Sequence, residues 1–344
     1  MKAKHFFTFI ILLVLLASQA FAMSDGPISF RLKWQPGEMF KYKFDIRSDA
    51  SAGNQSAQAQ ITFEVGLRVM APQNTADSTT SGTTQDKDGN SFALTGRLIE
   101  VGLEYGDLNM LIDASGRKIK ITIGKENVYA TLNGNPVPSS NLDDLRREVK
   151  SFQDLLKAPI RLSMTDSGRI VRVTGLEKID PAMQKELAMD FLQTMLLPEK
   201  PMKIGDQFKE TRSLESLFPK QPGQSQNPLA GRTLEILRTL KEIRRGNNGK
   251  ILAEFVAPLK EKFNDVPLST NGEIGSVEMN MLYTTVYAVD HGSIVRETGK
   301  GTLLLRPRGG NRPSLVTVNV NATIELVESR VSKTDVFGQR RDQR

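Results

Sequence analysis

Apolar and polar residues alternate one for one along several long stretches of this chain, and few folds tolerate that pattern. Phe40, Tyr42, Phe44 and Ile46 alternate with Lys41, Lys43, Asp45 and Arg47. Ile61, Phe63, Val65, Leu67 and Val69 do so against Thr62, Glu64, Gly66 and Arg68, and Ile99, Val101, Leu103 and Tyr105 against Glu100, Gly102 and Glu104. Near the C-terminus Val316, Val318, Val320, Ala322, Ile324 and Leu326 repeat the pattern. A period of two sends successive side chains to opposite faces, so these segments are long strands with one dry and one wet face, the mark of antiparallel sheets. Asp113–Gly116, Asp166–Gly168 and Gly246–Gly249 are turn sequences, because Gly and Asn accept positive φ. The last is predicted to join Leu234–Arg244 to Lys250–Val256 in a hairpin, although the first arm also suits a short helix.

Two helices interrupt the strands. Asn141 can cap one that lines up Leu142, Leu145, Val149, Phe152 and Leu156, with Asp143 and Asp144 at its positive end. Asp180-Pro181 opens the other, with Met183, Leu187, Phe191, Thr194 and Met195 on one stripe and Pro198 past its end. Each stripe is one-sided and needs a sheet to cover it. The fold class expected is therefore mainly β with a few helices (α+β): long curved antiparallel sheets, helices on the concave face. Ala71–Ser91 and Pro219–Gly231 read as loops, and the polar stretch from Lys333 to Arg344 as a disordered basic tail.

The chain also resembles itself. Asp166-Ser167-Gly168-Arg169-Ile170-Val171-Arg172-Val173-Thr174-Gly175 matches Asp290-His291-Gly292-Ser293-Ile294-Val295-Arg296-Glu297-Thr298-Gly299 at seven of ten positions, and Gly37-Glu38-Met39-Phe40-Lys41 parallels Gly205-Asp206-Gln207-Phe208-Lys209. Both matches fall in the same order, which predicts two pseudo-repeated halves: residues 28–175 and 201–330, joined by a helix over 176–200 and followed by the tail from 331 to 344. On these motifs the chain resembles an uncharacterised class of bacterial exported proteins with two β-rich halves, each opening on a Gly-acid-x-aromatic strand. In architecture alone it is similar to the open-barrel carriers that shuttle lipoproteins through the bacterial periplasm.

Residues 1–22 read as a cleavable signal peptide. Lys2 and Lys4 precede an apolar run from Phe6 to Leu16, and Ala20-Phe21-Ala22 supplies the small-x-small cleavage pattern. The run is shorter than the roughly 20 residues of a membrane span, no later stretch reaches that length, and no cysteine follows that could carry a lipid. The expected product is exported to the periplasm or the medium of a bacterium and is not membrane-spanning after cleavage. Cleavage lowers the formal charge from +7 to +5, and the remaining basic residues alternate with acidic ones as on a solvated face. One Trp, five Tyr and no basic cluster argue against nucleic acid as a partner. An outer-membrane barrel is disfavoured by the same aromatic poverty.

The usual chemistries find little support. With no Cys and, past the leader, only His291, the common zinc sites and Cys–His catalysis are excluded. His291 beside Asp290 occupies a turn whose counterpart in the first half is Ser167. Ser115-Gly116-Arg117-Lys118 matches Ser-x-x-Lys but falls in a β-turn. Glu100 and Glu104 on one strand stand about 13 Å apart, beyond glycosidase spacing. Asp86–Asn90 resembles a calcium loop without the closing Glu, since Arg97 takes that place. No catalytic residue, cofactor or metal is expected. The leading expectation is a non-catalytic envelope protein that binds an apolar ligand or a protein partner, with Met183, Phe191 and Met195 as contact residues. The alternatives are an envelope hydrolase using Asp and Glu, and an assembly subunit pairing through edge strands.

Overall fold

The computed structural model describes residues 26–71, 82–85, 91–94, 97–138, 142–177, 196–213, 231–246, 249–267, 274–308 and 315–331. The leader over 1–22, the helix opening at Asp180 and the tail beyond Val331 lie outside them. The chain is mainly β, and the alternating segments are the strands expected: β1 (Glu38–Ala52), β2 (Gln55–Val69), β3 (Gly82–Gln85), β4 (Ser91–Leu94), β5 (Leu98–Tyr105), β6 (Leu108–Ala114), β7 (Arg117–Ile123), β8 (Val128–Leu132) and β9 (Asn135–Pro136). Then follow β10 (Arg161–Thr165), β11 (Ile170–Thr174), β12 (Gln207–Ser213), β13 (Thr233–Arg245), β14 (Ile251–Pro267), β15 (Ile274–Ala288), β16 (Ser293–Pro307) and β17 (Val316–Val331). The Gly246–Gly249 hairpin forms, and its first arm is strand rather than helix, because Leu234, Ile236 and Leu240 are buried at a period of two.

All strands except the β3–β4 hairpin join one antiparallel sheet. From β12 to β17 each strand pairs with its successor; β17 then pairs with β1, and β1, β2, β5, β10 and β11 continue the series. The order is that of an up-and-down barrel opened at one seam, between β11 and β12. The sheet also forks. β5 and β6 pair with successive parts of β2 in registers one residue apart, Val65 with Tyr105 but Thr62 with Asn109. Gly106-Asp107 is thus a bulge in one bent strand, β5 leading to β10 and β6 to β7, β8 and β9.

The region after Asn141 forms two short helices, α1 (Asp143–Glu148) and α2 (Lys150–Lys157), rather than one. Val149 separates them, at φ −89° and ψ 0°. Buried Leu156, with Leu145 and Val149, packs against Ile123, Val128 and Met110. No described helix is long and apolar enough to cross a membrane.

One end of the sheet is sealed by the segment leading into β1. Phe30, Leu32 and Trp34 alternate inward and are at most 4% exposed. They share a core with Phe40 and Tyr42 on β1, Val101 on β5, Leu162 on β10 and, from the opposite flank, Phe255 and Tyr287. Only a curved sheet brings those flanks to one cluster. Trp34 stacks on Phe40 at 4.7 Å, and Phe30 meets Phe255 edge-on at 5.0 Å. Burying each of these three side chains is worth about 1.5–3 kcal/mol.

Backbone contacts fix the segment from both flanks. Leu32 N donates to Asp166 O (2.7 Å), the Tyr287 hydroxyl donates to Arg31 O (2.6 Å), and Ile28 and Met202 exchange two bonds of 2.8 Å. Arg31 gives Nη1 to Pro198 O (2.8 Å) and Nη2 to Glu199 O, beside Asp166. The two self-similar turns therefore grip the same segment: Asp166 touches Leu32 from β10–β11, and Gly292 lies against Arg31 and Lys33 from β15–β16.

Candidate functional site: an apolar inner face with a buried charge cluster

Beyond the sealed end, the same inner face of the sheet stays apolar but is only half-buried. Strand register lays out its rows. Met279 pairs with Leu303, Leu303 with Val318, Val318 with Ala50, Ala50 with Ala57, and Ala57 with Ala114. One step toward the sealed end runs a second row through Gly301, Val320, Ser48, Ala59 and Ile112. These rows cross β15, β16, β17, β1, β2 and β6, and Val318, Ala50, Ala57, Ala59, Ile112 and Leu303 all keep part of their surface open. Apart from Ser48 these side chains are apolar, and they are small at the centre. The outer face of the same strands carries ion pairs, Lys41 with Glu64 and Arg47 with Asp45 among them. A broad, open apolar surface of this kind ordinarily meets an apolar partner.

A cluster of charge interrupts the inner face. Glu210 (β12), Arg238 (β13) and Glu297 (β16) are at most 5% exposed, with Thr285 (β15) between them. Arg238 donates Nε to Glu210 Oε2 (2.7 Å), Nη1 to Thr285 Oγ1 (2.7 Å) and Nη2 to Glu297 Oε1 (3.4 Å). Arg212 donates Nε to Glu210 Oε1 (2.7 Å). The β13–β14 pairing ends at Thr239 and Val256, and Ala257, the next residue of β14, is a small buried side chain that leaves the Arg238 guanidinium room to cross to β15 and β16. Burial alone would raise the Glu210 carboxyl, but Arg238 and Arg212 outweigh it and hold it below the ordinary value. Burial opposes the charge on Arg238, and Glu297 and Glu210 overcome it and raise that guanidinium further. Glu297 Oε2 is buried without a hydrogen-bond partner; among the described residues it shares that condition with Trp34 Nε1 and Tyr42 OH. Tyr283, held above its ordinary value chiefly by burial, lies across Gly299, where an added Cβ would come within 2.9 Å of its ring.

The two Gly-acid turns let the cluster be compared with another part of the same sheet. Gly37 N donates to Val69 O and Gly205 N to Leu240 O, while Gln35 N reaches Glu38 Oε2 and Lys203 N reaches Asp206 Oδ2. The hairpins that follow share their register, Phe40 opposite Leu67 and Phe208 opposite Arg238. In this correspondence Glu210, Arg212 and Arg238 occupy the places of Tyr42, Phe44 and Leu67. The β1–β2 hairpin carries apolar side chains at all three corresponding positions.

The residues singled out in the sequence are dispersed. His291 is exposed in its turn, and Asp290 is spent on Ile251 N (2.7 Å). Glu100 accepts from the Ser163 hydroxyl (2.6 Å), whereas Glu104 pairs with Arg68. Ser115 and Gly116 form a turn with positive φ at both, and Lys118 N bonds Asn133. Met183, Phe191 and Met195 lie outside the described residues, as does Asp86–Asn90. No group of three or more His, Cys, Asp or Glu able to hold a metal occurs among the described residues. Sequence reasoning missed the Glu210–Arg238–Glu297 cluster. Its signal was a charge in phase with apolar neighbours: Arg238 falls on the buried parity of Leu234, Ile236 and Leu240.

No family model matches the sequence, and no curated protein is found similar to it. Among solved structures it is similar to lipovitellin, in a study of lipid–protein interactions, with TM-score 0.45 and 9% identity over 87% of this chain and 26% of that one. The chain thus spans about a quarter of lipovitellin's length. A DUF1329 family protein from Desulfovibrio piger follows at TM-score 0.14 and 7% identity, over 86% of this chain and 87% of that one. The toluene transporter TodX of Pseudomonas putida stands at 0.13 and 10%, over 85% and 89%. At such scores and identities none of them assigns a family or an activity.

Proposed function

We propose that this protein is a non-catalytic carrier of the bacterial envelope that holds an apolar ligand against the inner face of its sheet. The observation that carries the reading is the contrast along that face. Phe30, Leu32 and Trp34 seal one end, while the rows through Val318, Ala50 and Ala57 remain half-open and bear no charge from β15 to β6, Glu261 and Arg117 standing beyond either end. Residues 1–22 would direct export and be removed. Residues 28–175 and 201–330 would be halves of an ancient duplication, which accounts for the matched turns and hairpin registers. Within the linker 176–200, a helix would present Met183, Phe191 and Met195 to the ligand; Leu176 and Leu197, near the two ends of that linker, are packed on the sealed core. A hydrolase is the weaker reading, because among the described residues the buried carboxylates Glu210 and Glu297 are both held by Arg238, and the other candidate carboxylates are dispersed.

Nile red, a neutral dye that brightens in apolar sites, tests the reading directly. The mature protein should bind it saturably. Val318→Asp, on the half-open inner face, should abolish binding while leaving the melting temperature within a few degrees. Asn319→Asp, one residue along and facing outward, should leave it intact. Equal binding by both variants would sink the proposal.

A further inference from the structure

The charge cluster has unused bonding capacity, and that capacity describes a ligand group. We infer that the cluster seats the polar head of the bound amphiphile, and that this head is uncharged and carries a hydroxyl. The inference rests on the carrier reading above and adds the chemistry of the head.

Four observations converge on it. First comes position: Glu297 pairs with Thr285 and with Ile324, and the next inner row is Tyr283–Gly299–Ala322. The cluster thus lies between the sealed end and the open rows, four residues, or roughly 13 Å, from the second of them, with the Tyr283–Gly299–Ala322 row between. A chain lying on the open rows would have its head at this boundary. Second, the matching hairpin fills the places of Glu210, Arg212 and Arg238 with Tyr42, Phe44 and Leu67. Burying charge is costly, so charge where the matching hairpin carries apolar side chains calls for another reason.

Third, the cluster is incompletely satisfied. Glu297 Oε2 is a carboxylate oxygen with no donor, on a residue 5% exposed. Arg212 commits only Nε, and its two Nη groups make no hydrogen bond to the described residues. Among the described residues one acceptor and one set of donors therefore remain, and hydroxyl groups match each, donating to Glu297 or accepting from Arg212. Fourth, the charge is balanced, Glu210 and Glu297 against Arg212 and Arg238. A carboxylate or an ammonium entering this site would bring an uncompensated charge into buried surroundings, whereas a neutral hydroxyl brings none.

The test is displacement of Nile red from the mature protein at pH 8. Monooleoylglycerol should displace it at a concentration at least tenfold below that of oleate. Monooleoylglycerol with both hydroxyls methylated should be weaker than its parent by about tenfold or more, the usual loss for a hydrogen bond to a charged group. This comparison needs no variant and so does not depend on one folding. Glu297→Leu should bring parent and methylated competitor together, and Arg212→Gln should weaken the parent selectively. Equal potency of monooleoylglycerol and oleate, or of parent and methylated ether, on the unaltered protein would overturn the inference while leaving the carrier reading standing. Failure of Nile red and every amphiphile to bind would overturn the carrier reading and this inference with it.

Discussion

Replacing Arg238 alone should damage this protein far more than replacing the whole cluster around it. Arg238→Met leaves Glu210 with one guanidinium instead of two and Glu297 with none, both at most 5% exposed. Breaking a buried ion pair by removing one partner costs about 3–5 kcal/mol. Replacing such a network with apolar residues of similar volume is instead near neutral or stabilising by about 1–4 kcal/mol. The matching hairpin, with Tyr42, Phe44 and Leu67 in the corresponding places, argues that the sheet accepts the exchange. The comparison is therefore Arg238→Met against the quadruple variant Glu210→Leu, Arg212→Met, Arg238→Met, Glu297→Leu. In urea, with a slope of about 3 kcal/mol per molar for a chain this large, the single variant should lower the midpoint by about 1–1.7 M. The quadruple variant should recover most or all of that loss. If it is less stable than Arg238→Met, the charges are needed for folding, and the argument that they serve a ligand fails.

Two further outcomes follow. Gly292→Ala should lower the melting temperature markedly, because its Cβ would fall 2.2 Å from Lys33 N and 2.4 Å from Arg31 O at a φ of +66°; Gly231→Ala, with positive φ but open space around it, isolates the backbone share of the loss. Acid should weaken the protein through Glu210. Its folded value is depressed below the ordinary 4.5, so its contribution is fully present above that value and lost as pH falls through the lower one. Urea midpoints measured from pH 6 down to pH 3 should accordingly fall less steeply for Glu210→Gln than for the unaltered chain. Asp166 is raised chiefly by burial, acts in the opposite sense and is common to both.

The strands were legible because burial on one face writes itself into the sequence at a period of two. Phe40 to Ile46, Ile61 to Val69 and Val316 to Leu326 needed nothing more. The hairpin at Gly246–Gly249 was legible for the same reason, and so was the turn at Ser115-Gly116. Strand order was not, since the pairing of β17 with β1 joins residues almost 300 positions apart and leaves no local trace. Nor was the sealing role of Phe30, Leu32 and Trp34. They alternate like a strand, yet they cross the sheet's interior and pair with no long neighbour. The charge cluster leaves only a faint mark in the sequence. Lys and Arg within an alternating strand ordinarily face water, whereas Arg238 stands in phase with Leu234, Ile236 and Leu240. Glu297 carries no such mark, because only the fold brings β16 within reach of β13.

The central claim is that the half-open inner face holds an apolar ligand, and native mass spectrometry of the mature protein tests it most directly. Purified gently and without detergent from the periplasmic extract of its host, the chain should carry an adduct of a few hundred daltons. Organic extraction should remove that adduct and release an amphiphile. Val318→Asp, prepared in parallel, should fly at the bare polypeptide mass. A mature protein that shows only its polypeptide mass, and stays bare after incubation with monooleoylglycerol, would contradict the account.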